Sequence, residues 1–171
     1  MKHLFYIPSL ALASILLTHY PTQVHAMGIL DFMRIYIFSE VDGTVLMDGK
    51  PVSGAEVTQT ADYKNKIHTY TTITDDQGRF HFDDMYEYSM RLSETAILQK
   101  ITIEFDGKEY LAWKLMKKNE HQYGELNDAS IPDSDIQKIN LTCELTGNQD
   151  NKQTVGSEMR RRTITGLCRW N

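Results

Sequence analysis

The sequence predicts an all-β protein, an antiparallel β-sandwich of about seven strands. Two observations lead to this prediction. Most of the chain consists of short segments rich in Val, Ile, Thr, Tyr and Phe, several of which alternate apolar with polar residues, as strands do. Turn residues, including Asp-Gly pairs, separate these segments at short intervals. The length of 171 residues and the hydrophobic fraction of 41% are sufficient for one domain with its own core.

The first half of the predicted domain contains four strands. Residues 34–41 (RIYIFSEV) begin the domain, and a second strand ends at Val45-Leu46. Asp48-Gly49 is a tight-turn signal, and further strands are predicted at 55–60 and 66–74.

The stretch TDDQGRFHF, residues 74–82, contains two adjacent carboxylates and raises the question of a ligand site. We interpret it as a structural turn formed by Asp75, Asp76 and Gly78. Aspartate side chains accept hydrogen bonds from nearby backbone amides, and glycine takes a positive φ without steric cost. The alternation that follows places Phe80 and Phe82 on one face of a strand. Two carboxylates are too few to hold a cation, so no metal is predicted here.

The region after the turn contains a hairpin. Residues 85–100 form either a short helix or an irregular connection. Residues 101–116 alternate around Asp106-Gly107, which predicts two strands joined by a tight turn.

The last part of the chain combines polar loops with two strands. The loops are predicted at 116–135 and 147–160, and loops of this length are often functional. The final strands are predicted at 136–146 and 162–170.

The N-terminal residues have the layout of a secretory signal peptide: a short positive start, an apolar run and Val-His-Ala. We therefore expect cleavage after Ala26, a mature domain of residues 27–171 in the periplasm, and no stable membrane insertion after cleavage. A membrane anchor is one alternative, although the apolar run is shorter than the roughly 20 residues of a span. Translation from Met27 is another, and it would give a cytoplasmic protein.

Cys143 and Cys168 would both remain in the mature chain. Two cysteines in an exported protein predict one disulfide, which would make the two final strands neighbours. Two buried thiols in a cytoplasmic protein are the alternative, so this prediction depends on the leader.

The sequence contains no recognisable catalytic or cofactor motif, since G-x-S-x-G and phosphate-binding glycine loops are both missing. A net charge of −5 with one dense basic cluster argues against nucleic-acid binding. A hairpin at the Asp75-Asp76 turn would pair His81 with Thr72 and leave His68 roughly 13 Å from His81 at about 3.3 Å per residue, too far for one zinc ion. A shift in register could shorten this distance, so a shared zinc ion is an open alternative, and so is a hydrolase with His68, His81 and the acids in one cleft. We predict no enzyme, no cofactor and no metal site.

Two basic islands interrupt the acidic chain. They contain Lys114, Lys117 and Lys118 in one segment and Arg160 and Arg161 in the other. We expect solvated strand ends, with docking of an acidic partner as the sharper alternative.

One pattern resembles the carboxypeptidase regulatory-like, or transthyretin-like, domain. It consists of G-x-V, then G-x-P-V-x-G-A-x-V, then T-D-x-x-G-x-F-x-F, and about a third of the chain carries it. The residues are Gly43, Val45, Gly49, Pro51, Val52, Gly54, Ala55, Val57, Thr74, Asp75, Gly78, Phe80 and Phe82. The resemblance implies a prealbumin-like seven-stranded sandwich, and implies fold rather than function. The transthyretin-related hydrolase motif is replaced by the ending GLCRWN, so that activity is not expected.

The whole chain also resembles small uncharacterised bacterial proteins built on this domain, which can occur beside type VI secretion clusters that encode immunity proteins. The function we expect is therefore non-catalytic binding of another protein, in its sharpest form an immunity protein that neutralises a secreted toxin in the periplasm. The alternative is a module for cell-wall carbohydrate or peptide, with an exposed aromatic platform at Tyr110 or Trp170.

Overall fold

The structure is a computed structural model that describes residues 34–88, 95–118, 138–155 and 162–171. These residues form thirteen β-strands and no helix, which confirms the all-β prediction. The strands in chain order are β1 Arg34–Phe38, β2 Val41–Met47, β3 Lys50–Pro51, β4 Glu56–Tyr63, β5 Lys66–Ile73, β6 Arg79–Phe82, β7 Met85–Tyr88, β8 Ala96–Phe105, β9 Lys108–Lys118, β10 Ile139–Glu144, β11 Lys152–Val155, β12 Arg162–Thr165 and β13 Cys168–Trp170.

A six-stranded antiparallel sheet forms one layer of the sandwich, with the strand order β11-β12-β9-β8-β4-β5. Strands β4 and β8 alternate between buried and outward-facing residues; on β4 the buried residues are Val57, Gln59, Ala61 and Tyr63. This period of two is what a sheet with one face on the core requires. The inner face of this sheet therefore supplies one wall of the core.

A five-stranded sheet forms the opposite layer, with the order β13-β10-β2-β3 and with β6 also paired to β2. Strands β2 and β10 are parallel, from Ile139 opposite Val41 to Glu144 opposite Leu46. This pair departs from the purely antiparallel prediction. Parallel neighbours need a long connection, and the chain between β2 and β10 supplies one, because it builds the other sheet first.

A third, two-stranded sheet consists of β1 and β7. The buried side chains of Ile35 and Ile37 belong to the common core, and the Gln99 side chain donates a hydrogen bond of 2.8 Å from Nε2 to the backbone oxygen of Ile37. Two sequence predictions are wrong here. Residues 34–41 form two strands in different sheets rather than one, and the segment from Met85 begins with strand β7 rather than with a short helix or an irregular connection.

Two-residue turns join β2 to β3, β4 to β5 and β8 to β9. Asp48-Gly49 and Asp106-Gly107 have positive φ at both central residues, as the predicted hairpin turns require. The Glu144 carboxylate accepts hydrogen bonds from the backbone amides of Asp48 and Gly49 at 2.8 and 2.9 Å. These bonds and one from Thr146 hold the pKa of Glu144 below its usual value, against the opposing effect of burial.

The end of the chain differs from the single strand predicted at 162–170. Strand β12 belongs to the six-stranded sheet and β13 to the five-stranded sheet, so the chain crosses between layers at Gly166. Gly166 has φ of 147°, and a Cβ there would lie 2.2 Å from the backbone oxygen of Ala112. Only glycine fits such a crossing. The predicted loop 147–160 also contains a strand, β11, which pairs with β12.

The predicted disulfide is present. Cys143 on β10 lies directly opposite Cys168 on β13, both residues are buried, and their sulfur atoms are bonded. The expectation that the final strands are neighbours is therefore confirmed for β10 and β13. Among the described residues, none forms a helix with the length and hydropathy that crossing a bilayer requires. The predicted leader, residues 1–26, lies outside the described residues.

Candidate functional site

The predicted turn at Asp75, Asp76 and Gly78 is confirmed. Oδ1 of Asp75 accepts hydrogen bonds from the backbone amides of Gln77 at 2.8 Å and Arg79 at 2.9 Å, and Oδ2 accepts one from Arg79 Nε at 2.8 Å. The backbone amide of Arg79 is the main cause of a pKa of Asp75 below its usual value. Gly78 has φ of 71°. The carboxylate of Asp75 is thus used to close the turn.

The strands on either side of this turn do not form a hairpin. Strand β5 ends the six-stranded sheet, whereas β6 pairs with β2 in the other layer, so His81 lies opposite Asp42 and not opposite Thr72 as predicted. The cause is buried Thr74, whose hydroxyl donates to the backbone oxygen of Val52 at 2.8 Å and accepts from the amide of Ala55 at 2.9 Å. These bonds hold the end of β5 against the 52–55 connection, and the chain then crosses to the opposite layer.

This crossing leaves an opening between the edges of the two sheets, which we call the side pocket. It has a volume of about 440 Å³. Its lining consists of Gln59, Tyr70, Thr71, Thr72, His81, Phe82, Asp83 and Asp84. Strand β5 forms one side and β6 with the two following aspartates forms the other. Farther along β5, His68 Nε2 lies 3.0 Å from a carboxylate oxygen of Glu87, which also pairs with Lys66.

Gln59 is the most buried polar residue that lines the side pocket. It is 0% exposed, and neither its Oε1 nor its Nε2 has a hydrogen-bond partner in the described part of the chain. Buried amides are nearly always paired, and an unpaired one costs free energy. Gln99, equally buried on the neighbouring strand, shows the contrast because it bonds to Ile37. Gln59 is therefore unusual, because its side-chain amide is fully buried and has no hydrogen-bond partner among the described residues.

A histidine–carboxylate cluster borders the side pocket. His81 Nδ1 lies 2.7 Å from Asp42 and 3.8 Å from Glu40, and His81 Nε2 lies 3.2 Å from Asp83. Hydrogen bonds to Asp42 and then Asp83 raise the pKa of His81 above its ordinary value of 6.5. Burial alone would raise the pKa of Asp42, but hydrogen bonds from Lys138 and His81 lower it. The cluster therefore favours a protonated imidazole beside the ionised carboxylate of Asp42.

The same cluster has the composition of a metal site. One ligand atom each from Glu40, Asp42 and His81 lies within 4.8 Å of the others. Lys138 Nζ, however, lies 2.6 Å from Glu40 and 2.5 Å from Asp42, which raises the pKa of Lys138 and places an ammonium where a cation would bind. No sequence pattern identifies Glu40, Asp42 and Lys138 as a cluster. They come together only through the pairing of β2 with β6 and β10, which residue spacing does not reveal.

A second pocket, of about 760 Å³, lies beside the first and involves the outer face of the five-stranded sheet. It shares Thr72 and His81 with the side pocket. Its further polar lining includes Arg79 and Asn171, and Asn171 Nδ2 donates to Thr142 at 2.8 Å. His81 thus stands between two concave surfaces.

Strand β5 itself is an open edge. In the described ranges, no strand pairs with it on the side away from β4. Ile67 is 67% exposed, Tyr70 57% and Ile73 55%. Natural sheets usually protect such edges with charges, proline or a covering element. An eight-residue edge strand rich in Thr and Ile is instead suited to pairing with another chain.

Of the residues predicted as a weak docking surface, the structure describes the side chains of Lys114 and Lys117. Lys114 is exposed, but Lys117 is only 4% exposed and so cannot contribute to an exposed basic edge. The side chain of Lys118, and both Arg160 and Arg161, lie outside the described residues, as does most of the predicted loop 116–135.

The aromatic platform expected of a cell-wall module is not formed by its predicted residues. Tyr110 and Trp170 are partly buried and pack against the core. The rings of Trp170 and buried Trp113 are arranged edge to face, with their centroids 5.7 Å apart. Among the described residues, His81 lines both pockets and His68 lines neither, so these two histidines do not share a cleft.

Fold and site together define a small disulfide-bonded β-sandwich domain with an open sheet edge beside a polar pocket. The chain belongs to a family described as a domain of unknown function (DUF6795), whose family model matches residues 41–148, more than half of the chain. That range contains the turn, the edge strand and the whole side pocket. No curated protein matches the chain. The resemblance to carboxypeptidase regulatory-like domains stays a prediction.

Proposed function

We propose that this protein is a non-catalytic, exported domain that binds another protein by adding an extended segment of it to β5. The observation that carries the proposal is the open edge of this strand. Main-chain hydrogen bonds along an edge supply affinity in this mode of recognition, and neighbouring pockets supply specificity.

The backbone pattern identifies the groups that face the incoming segment. The β4–β5 hairpin has a two-residue turn, so its closing pair, Tyr63 and Lys66, is hydrogen-bonded, and hydrogen-bonded pairs then alternate along the strands. The even-numbered residues of β5 therefore bond to β4. The backbone groups of the odd-numbered residues point to the open edge; they belong to Ile67, Thr69, Thr71 and Ile73.

The cellular setting in this proposal is the periplasm, reached through a signal peptide cleaved after Ala26. The Cys143–Cys168 disulfide supports export, because structural disulfides persist in oxidising compartments. In its sharpest form the partner is a type VI secretion toxin and the domain is its immunity protein. The resemblance to proteins beside secretion clusters supports this form.

The test replaces one outward-facing amide. Thr69→Pro removes the N–H group of Thr69 from the open edge without removing a β4–β5 ladder bond. Affinity-tagged full-length chains are expressed in the native cells, the periplasm is separated from the cytoplasm, and captured proteins are identified by mass spectrometry. We expect the wild type to capture a specific periplasmic partner and Thr69→Pro to lose it.

Two variants control for other effects. Thr69→Val keeps the backbone amide and the shape of the side chain, so it should retain the partner. Met116→Lys places a charge on the outer face of the same sheet, at a residue 68% exposed, and should also retain it. Capture by a folded Thr69→Pro variant would refute edge pairing, and loss in Met116→Lys would assign the contact to the sheet face. Binding to isolated cell wall without a protein partner would favour the cell-wall alternative.

A further inference from the structure

The side pocket contains features that the binding of a strand to β5 does not require. An unpaired amide lies at its base, carboxylates lie at its rim, and aromatic rings belong to its lining. We propose that this pocket binds an arginine side chain of the segment that pairs with β5. This inference rests on the proposed function, because the segment on β5 is what presents the side chain.

The base of the pocket calls for a ligand with hydrogen-bonding groups. Gln59 is buried, with both amide atoms unpaired in the described residues, and its carbonyl oxygen Oε1 can accept from a donor that enters the pocket. A ligand that supplies this donor relieves a cost already present in the free protein. Water that enters with the ligand can pair with Nε2.

The charge of the pocket selects a cation. Asp83 and Asp84 are both exposed at its rim, and no hydrogen bond or ion pair of Asp84 is found in the described part of the chain. The nearby cationic side chains already have partners: Arg79 is paired with Asp75, and Lys66 with Glu87. The negative net charge of the chain also favours the approach of a cation.

Among the residues that line the side pocket, His81 is the one whose side chain can carry a positive charge. Its two ring nitrogens are directed to Asp42 and Asp83, so its charge is balanced within the cluster. It also occupies one oxygen of Asp83, which leaves Asp84 as the principal carboxylate for a bound cation.

The shape of the pocket favours arginine over lysine. Tyr70 and Phe82 belong to opposite sides of the pocket, one on β5 and one on β6. A planar guanidinium stacks on aromatic rings and directs several donors at once toward an amide oxygen and a carboxylate, whereas an ammonium is a point charge that retains its water more strongly.

The proposal is tested by titrating the full-length protein, labelled with ¹⁵N, with methylguanidinium and with two blocked pentapeptides. The peptides alternate Thr and Val around a central arginine or around citrulline, its neutral isostere. We expect the arginine peptide to shift the side-chain NH₂ signals of Gln59 and to bind at least tenfold more tightly than the citrulline peptide. Equal affinity of the two peptides would overturn the requirement for a cation.

Variants locate the site. Gln59→Met keeps the length of the side chain without its amide, and Asp84→Asn removes one charge from the rim; each should weaken binding of the arginine peptide tenfold or more. Glu104→Gln, an equally exposed acid on the outer face of the sheet, should change it less than twofold. Unchanged affinity in both pocket variants would refute the site.

The edge variant separates this inference from the proposed function. Thr69→Pro should lose the peptide but still bind methylguanidinium, because the pocket remains. If methylguanidinium binds but no peptide pairs with β5, the result supports a cation site in the side pocket and refutes strand addition at β5. If the native partner is retained by Gln59→Met and Asp84→Asn, edge pairing stands and the arginine pocket fails.

Discussion

Replacing Gln59 by methionine should stabilise the free protein. The amide is 0% exposed and neither of its polar atoms has a partner in the described residues. A buried polar group left unpaired costs about 1–3 kcal/mol. Methionine has a similar length, is unbranched and contains no group that needs a partner. Water can reach the adjacent pocket of about 440 Å³ and recover part of the cost, so the lower end of the range applies. We expect a gain of about 1 kcal/mol, or about 3 °C in Tm.

The matched control is Gln99→Met. Gln99 is equally buried and lies on the neighbouring strand of the same sheet, but its Nε2 donates to the backbone oxygen of Ile37 at 2.8 Å. Removing that donor leaves a carbonyl unpaired, so this variant should lose about 1–3 kcal/mol. The same chemical change is thus expected to have opposite signs at two positions.

The assay is urea unfolding followed by tryptophan fluorescence and circular dichroism. The m-value should stay constant, so that a shift in midpoint reports a change in the free energy of unfolding. A loss of stability in Gln59→Met as large as that in Gln99→Met would refute the reasoning, because it would mean that the Gln59 amide forms bonds of equal value. It would also remove the structural basis for a ligand at the base of the side pocket.

Three further changes test other parts of the structure. Gly78→Ala should cost about 1–3 kcal/mol through its positive φ alone, and a Cβ would lie 2.4 Å from a backbone oxygen; an unchanged urea midpoint would contradict this. Replacing Cys143 and Cys168 by alanine should cost about 3.5 kcal/mol from loop entropy at their separation of 25 residues, and reduction of the wild type should match it. Asp42→Asn should move the pKa of His81 down toward 6.5 in an NMR titration. The part of the lost stabilisation that comes from His81 is largest below pH 6.5 and disappears as the pH rises through the native pKa of His81, whereas the part from the ion pair with Lys138 does not depend on His81.

The features predicted correctly from sequence are those with a local cause. The Asp48-Gly49 and Asp106-Gly107 turns follow from residues that tolerate positive φ, and the burial of Phe80 and Phe82 follows from alternation within one strand. The disulfide prediction needed only the count of two cysteines and the expectation of a leader.

The wrong predictions concern which sheet a strand joins. Residues 34–41 and 162–170 each look like one strand, yet each divides between two sheets. In residues 162–170 the division depends on Gly166, because a side chain there would collide with the backbone oxygen of Ala112. This contact is not visible in the sequence. Strand propensity is a property of a segment, whereas sheet membership depends on contacts that are distant in sequence.

The candidate site and the wrong hairpin prediction have the same origin. Had β5 and β6 paired, each would have covered the edge of the other, and the space above Gln59 would have been closed. Because Thr74 holds β5 in one layer and the Asp75 turn directs β6 into the other, an exposed strand edge and two exposed aspartates lie beside a pocket that the buried amide of Gln59 lines. The sequence pattern predicted the turn correctly, but it contains no information on whether β5 and β6 join the same sheet or different sheets. Functional features of such a sandwich should therefore be sought where consecutive strands leave one sheet for the other, since those are the positions at which the fold leaves backbone and interior groups without an internal partner.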